Sequence, residues 1–179
     1  KLDEVGFDYI EGGWPGANPT DDDFFKQLPE LKISKFTAFG MTHRRDLLAH
    51  EDAGLNALIK SDTKAICIVG KCWDFHLNQA LHISEEENLQ MIKGSIEYIV
   101  ENNKEAIFDA EHFFDGFMAN KNFALKVIKC AFKAGARWIV LCDTNGGTLP
   151  SEIRDIVTQV AKKISGKNLG IHCHNDSNQ

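Results

Sequence analysis

Six short runs of apolar and β-branched residues recur along this chain, with helix-patterned segments between them. That alternation constrains the fold more than any other feature. The runs are 8–11, 35–39, 65–69, 106–111, 138–143 and 169–174, each of strand length. Leu89, Ile92, Ile96, Ile99 and Val100 mark one helical face. Phe123, Val127, Ile128, Ala131 and Phe132 mark another, at the three- and four-residue spacing of an amphipathic helix. A further helix carries Ile153, Ile156, Val157, Val160 and Ile164. Ser84 with Glu87 three residues on predicts a capping box, Gly135 the end of a helix that starts near Asn120, and Pro150 a first helical position.

Strand then helix, repeated with short links, is the pattern of a parallel α/β fold, either a doubly wound sheet or part of a (β/α)8 barrel. Polar residues collect where each run ends: Glu11 with Gly12-Gly13, Gly40 leading to His43-Arg44-Arg45, Lys71, Glu111-His112, Asp143-Thr144-Asn145 and His174-Asn175-Asp176. In a barrel all such ends form one rim around one site, whereas a doubly wound sheet concentrates its site at a single switch point. No GxGxxG follows the first run and no GxxxxGK[ST] is present, which weakens a nucleotide-binding reading. The expected fold is an incomplete (β/α)8 TIM barrel, with residues 1–179 as one domain.

Composition narrows the partners. With 179 residues, 43% hydrophobic and 26% charged, the chain suffices for one core. Its formal charge of -6 and lack of a basic stripe argue against nucleic acid or a membrane surface as partner and favour a small molecule. No apolar run approaches the roughly 20 residues of a membrane span, and no signal-peptide core follows Lys1. Cysteines 67, 72, 130, 142 and 173 have no CxxC spacing, so reduced core thiols and a cytoplasmic setting are expected.

The last run ends in His172-Cys173-His174-Asn175-Asp176. Residues i and i+2 of a strand share a face, so the two imidazoles converge while Ile171 and Cys173 point away. Neutral imidazoles suit borderline divalent cations, with oxygen donors completing the shell. On the pentapeptide alone, a merely polar strand end is an equal reading. Glu111 shares a strand face with Asp109, and two carboxylates on one face can raise one pKa toward a range useful for general-base chemistry. An ion-pair role for Glu111 stays open.

Four runs carry a resemblance: 6–16 (Gly-Phe-Asp-Tyr-Ile-Glu-Gly-Gly-Trp-Pro-Gly), 109–116 (Asp-Ala-Glu-His-Phe-Phe-Asp-Gly), 142–148 (Cys-Asp-Thr-Asn-Gly-Gly-Thr) and the terminal His-Cys-His-Asn-Asp. Their order along nearly the whole chain resembles the metal-dependent acyl-CoA condensing and cleaving barrels. That family includes the citramalate, 2-isopropylmalate and homocitrate synthases and hydroxymethylglutaryl-CoA lyase. The first two runs look most like the citramalate synthase branch, which joins acetyl-CoA and pyruvate in isoleucine supply.

The resemblance implies a divalent metal (Mg, Mn or Zn) held by His172 and His174, Glu111 as catalytic base, and Thr144 in catalysis and in contact with the substrate carboxylate. It also implies Glu11 as a substrate-binding residue in the active-site floor, although a strand end held by local backbone groups fits Glu11 as well. Asp143 is expected to orient rather than react. His43, Arg44 and Arg45 could steer an anionic substrate, with a solvated helix start as the plainer reading. His112 reads as a packing histidine, and His50, His76 and His82 have no role assigned.

The family's Arg-Asp-Gly strand end and its last-strand Asn ligand are not found in this sequence. The expectation is therefore a fragment holding strands two to seven, without the first and last strands or a C-terminal regulatory domain, inactive and prone to association by itself. The implied partners are acetyl-CoA and a small 2-keto acid, in a homodimer when full length. The alternatives are a 2-isopropylmalate or homocitrate synthase, a lyase of the hydroxymethylglutaryl-CoA type, and a metal-binding or interaction fragment without activity.

Overall fold

Each apolar run is a strand in the computed structural model, which describes residues 1–164 and 168–176. The strands are β1 (Tyr9–Gly13), β2 (Lys35–Met41), β3 (Ala65–Lys71), β4 (Glu105–Glu111), β5 (Trp138–Asp143) and β6 (Leu169–Cys173). They form one six-stranded sheet in the order β1-β2-β3-β4-β5-β6, every pair parallel. A strictly sequential order has no switch point, so the doubly wound alternative falls and the incomplete barrel stands. β2 and β3 run two residues further than the apolar patterns do, to Met41 and Lys71, because ladder bonds to their neighbours continue past the last apolar residue. β6 ends one residue before His174.

The helices are α1 (Leu2–Val5), α2 (Pro19–Phe25), α3 (Ala53–Lys60), the short turn α4 (Asp74–His76), α5 (Glu85–Glu101), α6 (Phe113–Ala119), α7 (Lys121–Lys133) and α8 (Pro150–Ala161), and α2, α3 and α5 to α8 pack on one face of the sheet. Alternate strand residues Ala38, Ile66, Ile68, Ala106, Phe108, Ala110, Ile139 and Leu141 meet Ile92, Ile96, Ile99, Val127 and Ile128 in the main core. The opposite set, Ala65, Cys67 and Ile107 with Tyr9, Phe39, Trp138 and Val140, packs on the inner face of the barrel. Period-two alternation thus feeds two cores from the same strands.

The helix signals read from sequence hold in detail. The Ser84 N–H donates to Glu87 Oε2 at 2.7 Å, and the Glu87 N–H to Ser84 Oγ at 3.2 Å. Asn120 caps α7 by accepting the Phe123 N–H at 3.1 Å. Gly135, at φ +106°, takes the left-handed turn that ends it. Pro150 opens α8. Two stripe residues differ from expectation: Val100 is 41% and Phe132 38% exposed. On α5 the buried stripe is instead completed by Asn88 and Ser95, which are satisfied by the Lys71 carbonyl and by the His43 N–H and Met91 carbonyl.

α6 lies unusually close to the end of β3. A Cβ built on Gly116 would sit 2.2 Å from the Cys72 carbonyl oxygen, a backbone atom that cannot swing away. Gly116→Ala is therefore expected to lower stability by about 1–3 kcal/mol through overpacking, against the roughly 1 kcal/mol alanine usually gains over glycine inside a helix. Urea unfolding measures it, and a stabilised variant would refute the contact.

The first residues of four strands meet at the opposite end of the sheet. The Tyr9 hydroxyl donates to Glu105 Oε2 at 2.6 Å, the Trp138 Nε1–H donates to the Tyr9 oxygen at 3.3 Å, and Lys35 pairs with Glu105. All five cysteines are free thiols; Cys67, Cys72 and Cys142 are buried, Cys130 is intermediate and Cys173 is exposed on edge strand β6. Among the described residues no helix is long and apolar enough to cross a membrane.

Candidate active site

The polar strand ends converge on one rim. β4 carries Asp109 and Glu111 two residues apart, on the face it shares with Ile107 of the inner core. Lys71, register partner of Glu111 on β3, pairs with its carboxylate. The ion-pair reading of Glu111 is thus a real contact, and it fixes where that carboxylate points. Beside the pair, an apolar cavity of about 130 Å³ is lined by Met41, Val69, Leu81, Ile83 and Met91.

Thr144 directly follows β5. Its Oγ1 accepts the His112 N–H at 2.9 Å, which leaves the hydroxyl proton available to a ligand. Asp143 engages both carboxylate oxygens with Thr148, at 3.2 Å to the N–H and 2.8 Å to the hydroxyl. Its carbonyl accepts the His174 N–H at 3.2 Å. Asp143 therefore anchors the loop after β5 to the end of β6.

His172 and His174 lie face to face, ring centroids 5.1 Å apart at 28°. His172 Nδ1 is 4.0 Å from Asp109 Oδ2, and His174 Nδ1 is 3.8 Å from Asp176 Oδ2. Asp109, Cys142 and His172 each offer a ligand atom, all within 4.8 Å of one another. Imidazole nitrogen, carboxylate oxygen and thiol sulfur on one rim fit a borderline divalent cation.

Sequence reasoning paired Asp109 with Glu111. In the structure, burial raises the Asp109 carboxyl above its ordinary range, while Cys67's hydrogen bond and His172 oppose the shift. Glu11, the third residue of β1, is also raised, first by the protein atoms around it and then by the charge of Asp109. Asp109 thus acts on Glu11 across the barrel, a pairing between distant strands that no local spacing reveals.

Other residues are held by packing. His43 is buried, with its N–H on Ser95 Oγ at 2.9 Å. Arg44 Nε reaches Asp52 Oδ2 at 3.0 Å and Arg45 Nη1 the His82 carbonyl at 2.9 Å, so this segment is a tethered loop rather than a helix start. His112, in the left-handed region at φ +52°, meets Asp115 through Nδ1 at 3.1 Å. It packs edge-on to His76 at 4.5 Å, a neighbour that sequence spacing does not show.

Comparison with known proteins agrees with this fold. The HMGL-like family model matches residues 1–179. The chain is 50% identical over 179 residues to an (R)-citramalate synthase of Aquifex aeolicus and 51% identical over 179 residues to one of Geobacter sulfurreducens. Each match covers 99% of this chain and 34% of the relative, so the chain spans about a third of the length of these curated proteins. The solved HMG-CoA lyase of Bacillus subtilis superposes with a TM-score of 0.81 at 16% identity, over 99% of this chain and 59% of that one. From the matched family model and the sequential parallel strands with their polar rim, we conclude that the chain belongs to the HMGL-like family.

Proposed function

We propose that the protein is an acyl-CoA condensing transferase that joins acetyl-CoA to pyruvate and forms (R)-citramalate. What carries the reading is identity of about half, along nearly the whole chain, to two proteins named as that synthase. The reading draws support from the rim, where the Glu111 carboxylate, the Thr144 hydroxyl and two imidazoles stand at the C-terminal strand ends, the end at which barrel enzymes carry out their chemistry.

In this reading His172 and His174 hold a divalent cation, which when bound supplies Lewis-acid polarisation of a keto group. Thr144 donates its free hydroxyl proton to the pyruvate carboxylate and so fixes that end of the substrate. Glu111, oriented by Lys71, takes a proton from the acetyl methyl group. The resulting carbanion forms a carbon–carbon bond to the keto carbon, whose oxygen gains a proton. Water then cleaves the thioester and releases the CoA thiol, so acetyl-CoA, pyruvate and water balance citramalate and CoA. Glu11, on β1 and within electrostatic reach of Asp109, binds substrate in this reading.

The test is thiol release from acetyl-CoA by the full-length protein, with pyruvate, 2-oxoisovalerate and 2-oxoglutarate compared, with and without chelator. Chelator-sensitive turnover that favours pyruvate is the expected result. Preference for a longer keto acid moves the protein to a neighbouring synthase, and no release with any of them removes the condensing activity. His172→Ala is expected to abolish zinc binding and this turnover together. Retained zinc stoichiometry at unchanged affinity would remove His172 from the metal site.

A further inference from the structure

Asp109 takes no part in the steps above, yet its carboxylate faces His172. Its side chain is only 15% exposed, whereas His172 on edge strand β6 is 56% exposed. Asp109 sits inside the ladder of β4, paired in register with Val69 of β3 and Val140 of β5, which fixes where its carboxylate starts. The ring of His172 also stacks on His174, whose side chain is 43% exposed. A largely buried carboxylate therefore stands beside one nitrogen of a largely exposed imidazole.

The two nitrogens of a neutral imidazole are distinct, and the one that carries the proton cannot ligate. Asp109 Oδ2 lies 4.0 Å from Nδ1, longer than a hydrogen bond, so the carboxylate acts through its charge, favouring the proton on Nδ1. Resting on the metal-site reading above, we infer that Asp109 is a positioning residue that holds His172 in the tautomer whose Nε2 is the metal donor. Carboxylates behind metal-ligating histidines commonly have this effect.

The competing arrangement is direct ligation. Asp109, Cys142 and His172 are close enough to share one ion, and ligation through Nδ1, 4.0 Å from Asp109 Oδ2, would make Asp109 a ligand and leave the proton on Nε2. The two arrangements give opposite results in the same full-length protein.

The experiment has three readouts. Nitrogen-15 NMR of the metal-free wild type should show His172 protonated at Nδ1; protonation at Nε2 overturns the inference without any variant. Zn²⁺ titration of Asp109→Asn, with folding checked by circular dichroism, should show affinity about 10–100-fold weaker, with the His172 tautomer shifted and Cys142→Ser unchanged. Unchanged Asp109→Asn affinity with an unchanged tautomer overturns it. So does a thiolate-to-cobalt charge-transfer band in the Co²⁺-loaded wild type that Cys142→Ser abolishes. If wild type and His172→Ala bind Zn²⁺ equally, the metal-site reading itself fails, an outcome separate from the others.

Discussion

Glu111→Gln in the full-length protein is expected to lower kcat for the proposed thiol release from acetyl-CoA with pyruvate by about 10²–10⁴-fold, the usual contribution of a positioned general base. Glutamine keeps the size of the side chain and can still accept from Lys71, its partner across β3 and β4, but cannot accept and hold the methyl proton. The loss belongs to the chemical step, so KM for pyruvate and bound zinc stay close to wild type. Activity within about threefold of wild type, measured against that expected range, would return Glu111 to a purely structural ion pair. A large rise in pyruvate KM at unchanged kcat would instead place it in substrate binding.

Phe108→Ala has the largest expected effect on stability, a loss of about 3–5 kcal/mol. The ring is fully buried in the middle of β4, on the face that meets the helices. Gly70 on the neighbouring strand makes room for it: a Cβ there would lie 2.6 Å from Phe108 Cε2. A gap opened between strand and helix backbones cannot collapse easily, so the lost contacts are not replaced. Denaturant unfolding of wild type and variant gives the difference directly. A change below about 1 kcal/mol would mean that this site relaxes far more than a close-packed core should.

The strands were legible because burial on both faces leaves a nearly continuous apolar signature, as in Ala65-Ile66-Cys67-Ile68-Val69. Helix ends were legible because capping is local: Ser84 meets Glu87, and Asn120 meets the Phe123 N–H. Choosing a barrel over a doubly wound sheet needed only the position of polar residues at strand ends. The sheet's sequential order agrees.

What the sequence hid are relations between strands. Tyr9 and Glu105 are 96 residues apart, and the approach of Asp109 to His172 depends on how far the sheet curves. His76 meets His112 only because the segments after β3 and β4 pack together. Val100 and Phe132 read as core because helical spacing counts residues without knowing where the neighbouring helix lies. Shared strand faces suggested the His172–His174 pair as a metal site and the Asp109–Glu111 pair behind the general-base expectation, whereas the expected role of Thr144 came from the likeness to a known family.

The polar clasp of Tyr9, Lys35, Glu105 and Trp138 acts like a hinge pin set at the far end of long levers. From Glu105 to Glu111 a strand rising about 3.3 Å per residue reaches about 20 Å, so a splay of about 5° at the base moves the rim by about 1.7 Å. Misplacement by about 1 Å can reduce a reaction rate about 10²-fold. Substitutions in the clasp can therefore detune chemistry at the opposite end of the barrel while leaving every rim residue in place.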